Sequence, residues 1–205
     1  MPTFKDRVEI GPHVLYLGDC REIDLQADAV VSDPPYGMDW DTDTTRFSGG
    51  CGGHGRGVEW PTPIHGDDEP FDPSPWLEFR RVVLWGANHY AQRLPVGTTL
   101  VWIKRNDDAF GSFLSDAEVA WAKGGHGVYC RRVLFPPPTK HAESGAAQHP
   151  TQKPGALMRW SIERGAPDAE TILDPFMGSG TTGVACAKLG RKFIGVEIHE
   201  PYFRI

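Results

Sequence analysis

Three features of this chain predict an α/β fold built on a mostly parallel sheet. Two short apolar runs, Ala29-Val30-Val31 and Thr171-Ile172-Leu173, lead straight into Asp33 and Asp174, as buried parallel strands do where they reach the ligand-binding edge of a sheet. Strand, glycine turn, helix, strand and acid then follow one another within the 27 residues from Thr171 to Glu197. Finally, 205 residues that are 40% hydrophobic fill one sizeable core and hardly two, so residues 1–205 are expected to form one domain with insertions.

Taken in chain order, the first chemical element is Asp33-Pro34-Pro35-Tyr36, at the exit of the first apolar run. Two prolines fix their own φ angles and remove two backbone donors, which leaves a stiff turn offering a carboxylate, bare carbonyls and an aromatic face. Such a turn suits grasping a flat ring that bears an amine, although proline at a strand exit is also ordinary punctuation. Residues 41–75 are rich in Gly, Pro, Asp and Thr without a sustained period, and predict a long loop insertion. Beside the turn, that loop reads equally as a lid or as a segment without function. Cys51, His54 and His65 contain one Cys-x-x-His and no matching second pair, so no metal is expected.

Val82 to Trp85 and Thr99 to Ile103 predict further buried strands, with a short helix around Asn88 to Arg93 between them. Lys104-Arg105 closes the second of these strands. An amphipathic helix is predicted from Ala156 to Arg164, with Leu157, Trp160 and Ile162 facing the core. After Leu173 comes Asp174-Pro175-Phe176-Met177-Gly178-Ser179-Gly180-Thr181-Thr182-Gly183, then a helix from Val184 to Leu189 that stops at Gly190. Glycines at 178 and 180 let the backbone approach a ligand closely, and the amides opening the helix favour a carboxylate or phosphate. Phe193 to Val196 forms the next strand and ends at Glu197, 19 residues after Gly178, where an acid accepts hydrogen bonds from ribose hydroxyls. The unit therefore favours an adenosine-type cofactor. The absence of a Lys after the glycines disfavours a P-loop, whereas Gly178, Gly180 and Gly183 keep a nicotinamide cofactor open.

Composition narrows the class. No apolar run approaches the roughly 20 residues of a membrane-spanning helix, and mean hydropathy is -0.38. Four scattered cysteines (Cys20, Cys51, Cys130, Cys186) and no signal-like N-terminus predict free thiols and a cytoplasmic protein. Net charge is -6, but it is segregated: residues 1–75 hold 15 acidic against 5 basic side chains, and residues 121–164 hold 7 basic against 2 acidic. A basic face of that kind is either solvated or a binding surface for an anionic partner.

These motifs together resemble the β-class DNA amino-methyltransferases, which methylate the exocyclic amine of adenine (N6) or cytosine (N4). Asp33 to Tyr36 is similar to the family's catalytic motif, Asp174 to Thr182 to its S-adenosylmethionine loop, and His149-Pro150-Thr151-Gln152-Lys153-Pro154 to the segment preceding that loop. The likeness extends to Trp85-Gly86-Ala87-Asn88. It implies a Rossmann-like, circularly permuted methyltransferase fold with helices on both faces of the sheet. In that arrangement the strand beside Phe193–Val196 comes from the N-terminus, where Val14 to Leu17 fits, leaving Asp19 at its end.

The resemblance also implies roles. Asp33, Pro34, Pro35 and Tyr36 would be catalytic, with Asp33 and the Pro34 carbonyl accepting the amine hydrogens and Tyr36 stacking on a flipped base. Asp19, Asp33, Lys153, Asp174, Pro175, Phe176, Gly178, Ser179, Gly180, Thr181, Thr182 and Glu197 would bind S-adenosylmethionine. Asp19 would meet the adenine amine and Lys153 the carboxylate, although a surface turn and a helix-start charge are the plain alternatives. Double-stranded DNA is the implied partner, with Lys104, Arg105, Arg131, Arg132 and Lys140 as candidate contacts within a small region at about 104–148. A homodimer and a cognate restriction enzyme are further partners in keeping with the family. Rival readings are an RNA amino-methyltransferase, a non-catalytic cofactor- and nucleic-acid-binding module, and a nicotinamide-dependent oxidoreductase, which leaves the Pro-Pro turn unexplained.

Overall fold

The structure, a computed structural model, describes residues 4–41, 64–111, 115–134 and 152–205. Nine strands join in one sheet: β1 (Phe4–Ile10), β2 (His13–Gly18), β3 (Ala29–Ser32), β4 (Arg81–Trp85), β5 (Thr98–Ile103), β6 (Ala117–Ala122), β7 (Val128–Arg132), β8 (Thr171–Asp174) and β9 (Lys192–Glu197). Their spatial order is β1-β2-β9-β8-β3-β4-β6-β5-β7. Pairing is parallel throughout the central block from β2 to β4, and β6 runs antiparallel between β4 and β5. β1 folds back on β2 as a hairpin whose two-residue turn begins at Gly11, φ 58°.

The strand expected from the N-terminus is found where the permuted arrangement puts it. Val14 to Leu17 lies parallel to β9, with Val14 opposite Ile194 and Leu17 opposite Glu197. All four residues of β3 are fully buried, because its neighbours cover both edges and side chains cover both faces. Alternation along the strands splits the core in two. Val31, Val83, Trp85, Ile172 and Phe193 face helices α1 (Gly155–Gly165) and α2 (Thr181–Lys188), while Val30, Val82, Leu84, Leu173 and Val196 face the other layer. A four-residue helix, α3 (Glu200–Phe203), adds Phe203 to the first layer.

That second layer is made without α-helices among the described residues. Three 3-10 turns (Ser74–Trp76, Ala87–His89 and Ala91–Arg93) cover it, together with buried Phe71, Trp76 and Tyr90. The short helix expected at Asn88–Arg93 is the last two of these turns. Residues 64–75, expected as loop, instead dock into the core, because Phe71 and Trp76 anchor an otherwise aperiodic, Pro-rich stretch. Likewise the region expected to contact DNA at 104–148 supplies, within its described part, two strands of the sheet, β6 and β7. α1 and α2 cover the predicted helices, with Leu157 and Ile162 buried and Trp160 partly buried against the core. No helix is long and apolar enough to cross a membrane among the described residues.

Candidate active site

Four strand ends converge on one side of the sheet. Gly18 and Asp19 after β2, Asp33 to Tyr36 after β3, Asp174 to Thr182 after β8, and Glu197 at the end of β9 line a single cleft of ≈ 2320 Å³. A pocket for one small ligand holds roughly 300–1,000 Å³. The cleft therefore has room for a cofactor and a second ring side by side.

Its floor is the turn after β8. Asp174, 2% exposed, accepts hydrogen bonds from Ser32 Oγ at 2.5 Å, Thr182 Oγ1 at 2.5 Å and the Phe176 amide at 3.1 Å. It thereby ties β3, the glycine turn and α2 together. Burial pushes its carboxyl up to about 6. Gly180, at φ 77°, forms the N-cap of α2 and has no side chain with which to cap it, so the helix's opening amides remain available for an anion. Glu197, 8% exposed, accepts hydrogen bonds from the Gly178 amide at 2.9 Å and the His199 amide at 2.8 Å. A carboxylate has about four lone-pair sites, which leaves acceptor capacity for a diol. An adenosine-type cofactor thus fits this floor. Asp19 is more heavily engaged: Arg21 grips both of its oxygens, at 2.9 Å and 2.5 Å, and draws its carboxyl below the usual range.

The wall opposite is the Asp33–Tyr36 turn. Tyr36 donates its hydroxyl to Asp33 Oδ1 at 2.5 Å, and its ring stacks on His89 with centroids 4.9 Å apart and planes 9° apart. The ring also presses on Gly86, where an added Cβ would lie 2.0 Å from Tyr36 Cε1. Gly86 is at φ 73°, so both close approach and conformation require glycine there. The face of the Tyr36 ring that stacks on His89 is thereby closed to any other ring.

Lys153, expected from the resemblance to meet the cofactor's carboxylate, lies against the Asp33–Tyr36 turn. Its ammonium is 7% exposed and donates to Asp33 Oδ1 and Oδ2 at 2.8 Å and 2.7 Å and to the Tyr36 hydroxyl at 3.0 Å. Glu118 Oε2, from β6, stands 3.1 Å away on its other side. Lys104 then binds Glu118 Oε1 at 2.9 Å. The result is an alternating chain, Asp33, Lys153, Glu118, Lys104. Against burial, which lowers a lysine, the two carboxylates hold Lys153 well above its usual value. Burial pushes Asp33 upward against the pull of Lys153, while Lys153 and Lys104 outweigh burial at Glu118 and hold it down at about 2.

Asp67 fixes the shape of the turn. It is 4% exposed; Oδ1 accepts the amides of Tyr36 at 2.8 Å and Gly37 at 2.9 Å, and Oδ2 that of Trp40 at 2.8 Å. Its own carbonyl accepts the amide of Asp39, a non-glycine residue at φ 49°. With the Met38 amide, 3.4 Å from Oδ1, five successive amides from Tyr36 to Trp40 therefore rest on one residue 31 positions beyond Tyr36.

The basic residues singled out as nucleic-acid contacts separate. Lys104 is held inside the cleft by Glu118, Arg105 bonds the Ser115 carbonyl at 3.3 Å near Asp116, and Arg132 pairs with Asp107. Arg131 is exposed on the edge strand β7, and Lys140 lies outside the described residues. Cys51, His54 and the segment His149–Thr151 also lie outside them, and no group of three potential metal ligands occurs among the described residues. Sequence reasoning missed Glu118, Asp67, Ser32 and His89. For Glu118 a signal existed: it is the one acid in the otherwise apolar run Ala117-Glu118-Val119-Ala120-Trp121-Ala122, a setting in which an acid rarely sits without a partner.

Comparison with known proteins places these features among DNA-modifying enzymes. Residues 82–205 match a family model described as DNA methylase, a segment that begins after the Asp33–Tyr36 turn. The type II methyltransferases M2.DpnII of Streptococcus pneumoniae and M2.LlaDCHI of Lactococcus lactis subsp. cremoris are each 36% identical over 107 residues. That match covers 52% of this chain and 39% of each relative. Among solved structures, the M1.HpyAVI–SAM complex is similar with a TM-score of 0.59 at 25% identity, over 93% of this chain and 96% of that one. The cytosine-N4-specific PvuII DNA methyltransferase shares the fold at 13% identity and a TM-score of 0.54, over 92% of this chain and 83% of that one.

Proposed function

The chain belongs to the DNA methylase family, and on that premise we propose that it transfers a methyl group from S-adenosylmethionine to the exocyclic amine of an adenine (N6) or cytosine (N4) flipped out of duplex DNA. The observation that supports this reading is that the Asp33–Tyr36 turn lines the same cleft as the Asp174–Thr182 turn and Glu197. Asp33 leaves β3 and Asp174 leaves β8, adjacent parallel strands that lie roughly 4.8 Å apart. Bound at that floor, S-adenosylmethionine supplies an electrophilic methyl group on sulfur.

Everything else is done by the protein. The exocyclic amine is a poor nucleophile because its lone pair is delocalised into the ring. Asp33 and the Pro34 carbonyl accept the two amine hydrogens, which favours a pyramidal nitrogen and stabilises the positive charge that develops on it as it takes the methyl group from sulfur; the surplus proton leaves the nitrogen after transfer. The Gly178–Gly180 turn and the α2 amides hold an amino-acid carboxylate, and Glu197 receives the ribose. Tyr36 and Asp67 keep the turn and the Asp33 carboxylate in register. Extruding the base costs roughly a few kcal/mol, recovered through contacts made in the cleft.

The test is to incubate purified protein with unmethylated genomic DNA and S-adenosylmethionine, digest to nucleosides, and look for N6-methyladenine and N4-methylcytosine by mass spectrometry. One of the two marks is expected, and Asp33→Ala should abolish it while retaining cofactor binding. Cofactor binding without any mark on DNA, but with one on RNA, would transfer the reading to an RNA amino-methyltransferase.

A further inference from the structure

The Asp33 carboxylate, which the proposed reaction needs for an incoming amine, already carries a cation. Lys153 donates to both of its oxygens and Tyr36 to one of them. A fixed ammonium beside a nitrogen that is becoming cationic opposes the reaction, since like charges a few ångströms apart repel strongly in a poorly solvated site. Simply deleting the ammonium is no remedy, because a buried carboxylate without a counter-ion takes up a proton.

The geometry points to a hand-off, which rests on the methyltransferase reading above: Lys153 is a movable counter-ion that occupies Asp33 while the cleft holds no base and passes to Glu118 when the amine arrives. Glu118 is placed to receive it. Its Oε2 already pairs with Lys153 Nζ at 3.1 Å but without an aligned hydrogen bond, so the ammonium needs only to turn from Asp33 to make this second seat its main one. Oε1 is anchored by Lys104, which fixes the receiving carboxylate from behind. Tyr36 stays on Asp33 throughout and keeps it oriented. Glu118 is thereby a positioning residue, acting on the base only through Lys153. The other ionisable groups facing Asp33 are Tyr90 and Asp174, from the turn after β4 and the end of β8, and His89 reaches it only through Tyr36.

Single-turnover methylation of unmethylated genomic DNA tests this, with S-adenosylmethionine affinity measured separately by calorimetry and folding by thermal melts. Glu118→Gln removes the charge of the second seat while keeping its shape. It should slow transfer at least tenfold with cofactor affinity unchanged. In a Lys153→Met background the same substitution should have no further effect, because there is no ammonium left to receive. Lys153→Met itself should move the acidic limb of the pH–rate profile to higher pH, as Asp33 loses its counter-ion. If Glu118→Gln fails to melt cooperatively, Glu118→Asp takes its place and should give a smaller loss of the same kind. Transfer at the wild-type rate in the Glu118 variants, or an equal loss in both backgrounds, overturns the hand-off while leaving the methyltransferase reading intact. Absence of any methyl mark with the wild-type protein overturns both.

Discussion

Replacing Asp174 by Asn should make this protein more stable at neutral pH and worse at binding its cofactor. The side chain is 2% exposed and its carboxyl is pushed from 3.8 to about 6 by burial. Two pH units at 1.36 kcal/mol each put the cost of ionising it in the folded state on the order of 3 kcal/mol. The sign follows from proton binding. Between about pH 4 and pH 6 the folded chain holds the proton more tightly than the unfolded chain, so stability falls as pH rises through that window and the loss is complete above it. Asn cannot ionise and escapes that loss. Its amide nevertheless meets Ser32, Thr182 and the Phe176 amide with one acceptor fewer, a mismatch of about 1 kcal/mol. The net gain at pH 8 is about 2 kcal/mol, or about 4–8 °C in Tm for a chain of this size. Thermal melts from pH 4.5 to 8 should show a Tm that declines more steeply across the window for the wild type than for Asp174→Asn, while calorimetry shows weaker S-adenosylmethionine binding. Parallel Tm curves for the two proteins, or a variant that is less stable at pH 8, would refute the claim that the Asp174 charge is a burden on the fold.

Two other perturbations follow from the Asp33–Tyr36 turn. Gly86→Ala forces a Cβ against the Tyr36 ring at a φ of 73°, which costs about 1–2 kcal/mol in backbone strain alone; Tyr36 must move, so methyl transfer should fall more than cofactor affinity, as a comparison of kcat with Kd will show. Asp67→Ala leaves the Tyr36, Gly37 and Trp40 amides without their acceptor; a stability loss of about 2 kcal/mol by urea unfolding is expected, with a raised KM for DNA and little change in the melting increment given by cofactor.

What could be read in advance depended on how local the signal was. The Thr171–Glu197 unit is a continuous stretch whose apolar runs, glycines and acid each have a fixed place in a strand–turn–helix–strand, and the structure follows it nearly residue by residue. The pairing of β2 with β9 was legible only through the family resemblance, since nothing in Val14–Leu17 itself names a partner 180 positions away in sequence. β1 and β7 escaped notice because charged edge strands lack an apolar alternation, and β6 because its alanines read neither as strand nor as helix. At the site, Asp33 and Asp174 announced themselves by standing at strand exits. Lys153 was legible as a chemical residue through the resemblance, but its contact with Asp33 was not, because a spacing rule carries no information about which carboxylates a long flexible side chain will reach. Asp67 sat among other acids in an aperiodic stretch, where only the folded course of the backbone distinguishes it.

The pairing of β2 with β9 has a consequence for synthesis of the protein. On the ribosome, β2 emerges long before β9 and pairs first with β1 on one edge; its other edge waits for Lys192–Glu197. Until then the nascent chain already possesses Asp33 and Tyr36 but neither the Gly178–Gly180 turn nor Glu197. On the proposed function, a chain interrupted before Gly178 would carry the turn that receives an amine and lack the turn that holds the methyl donor.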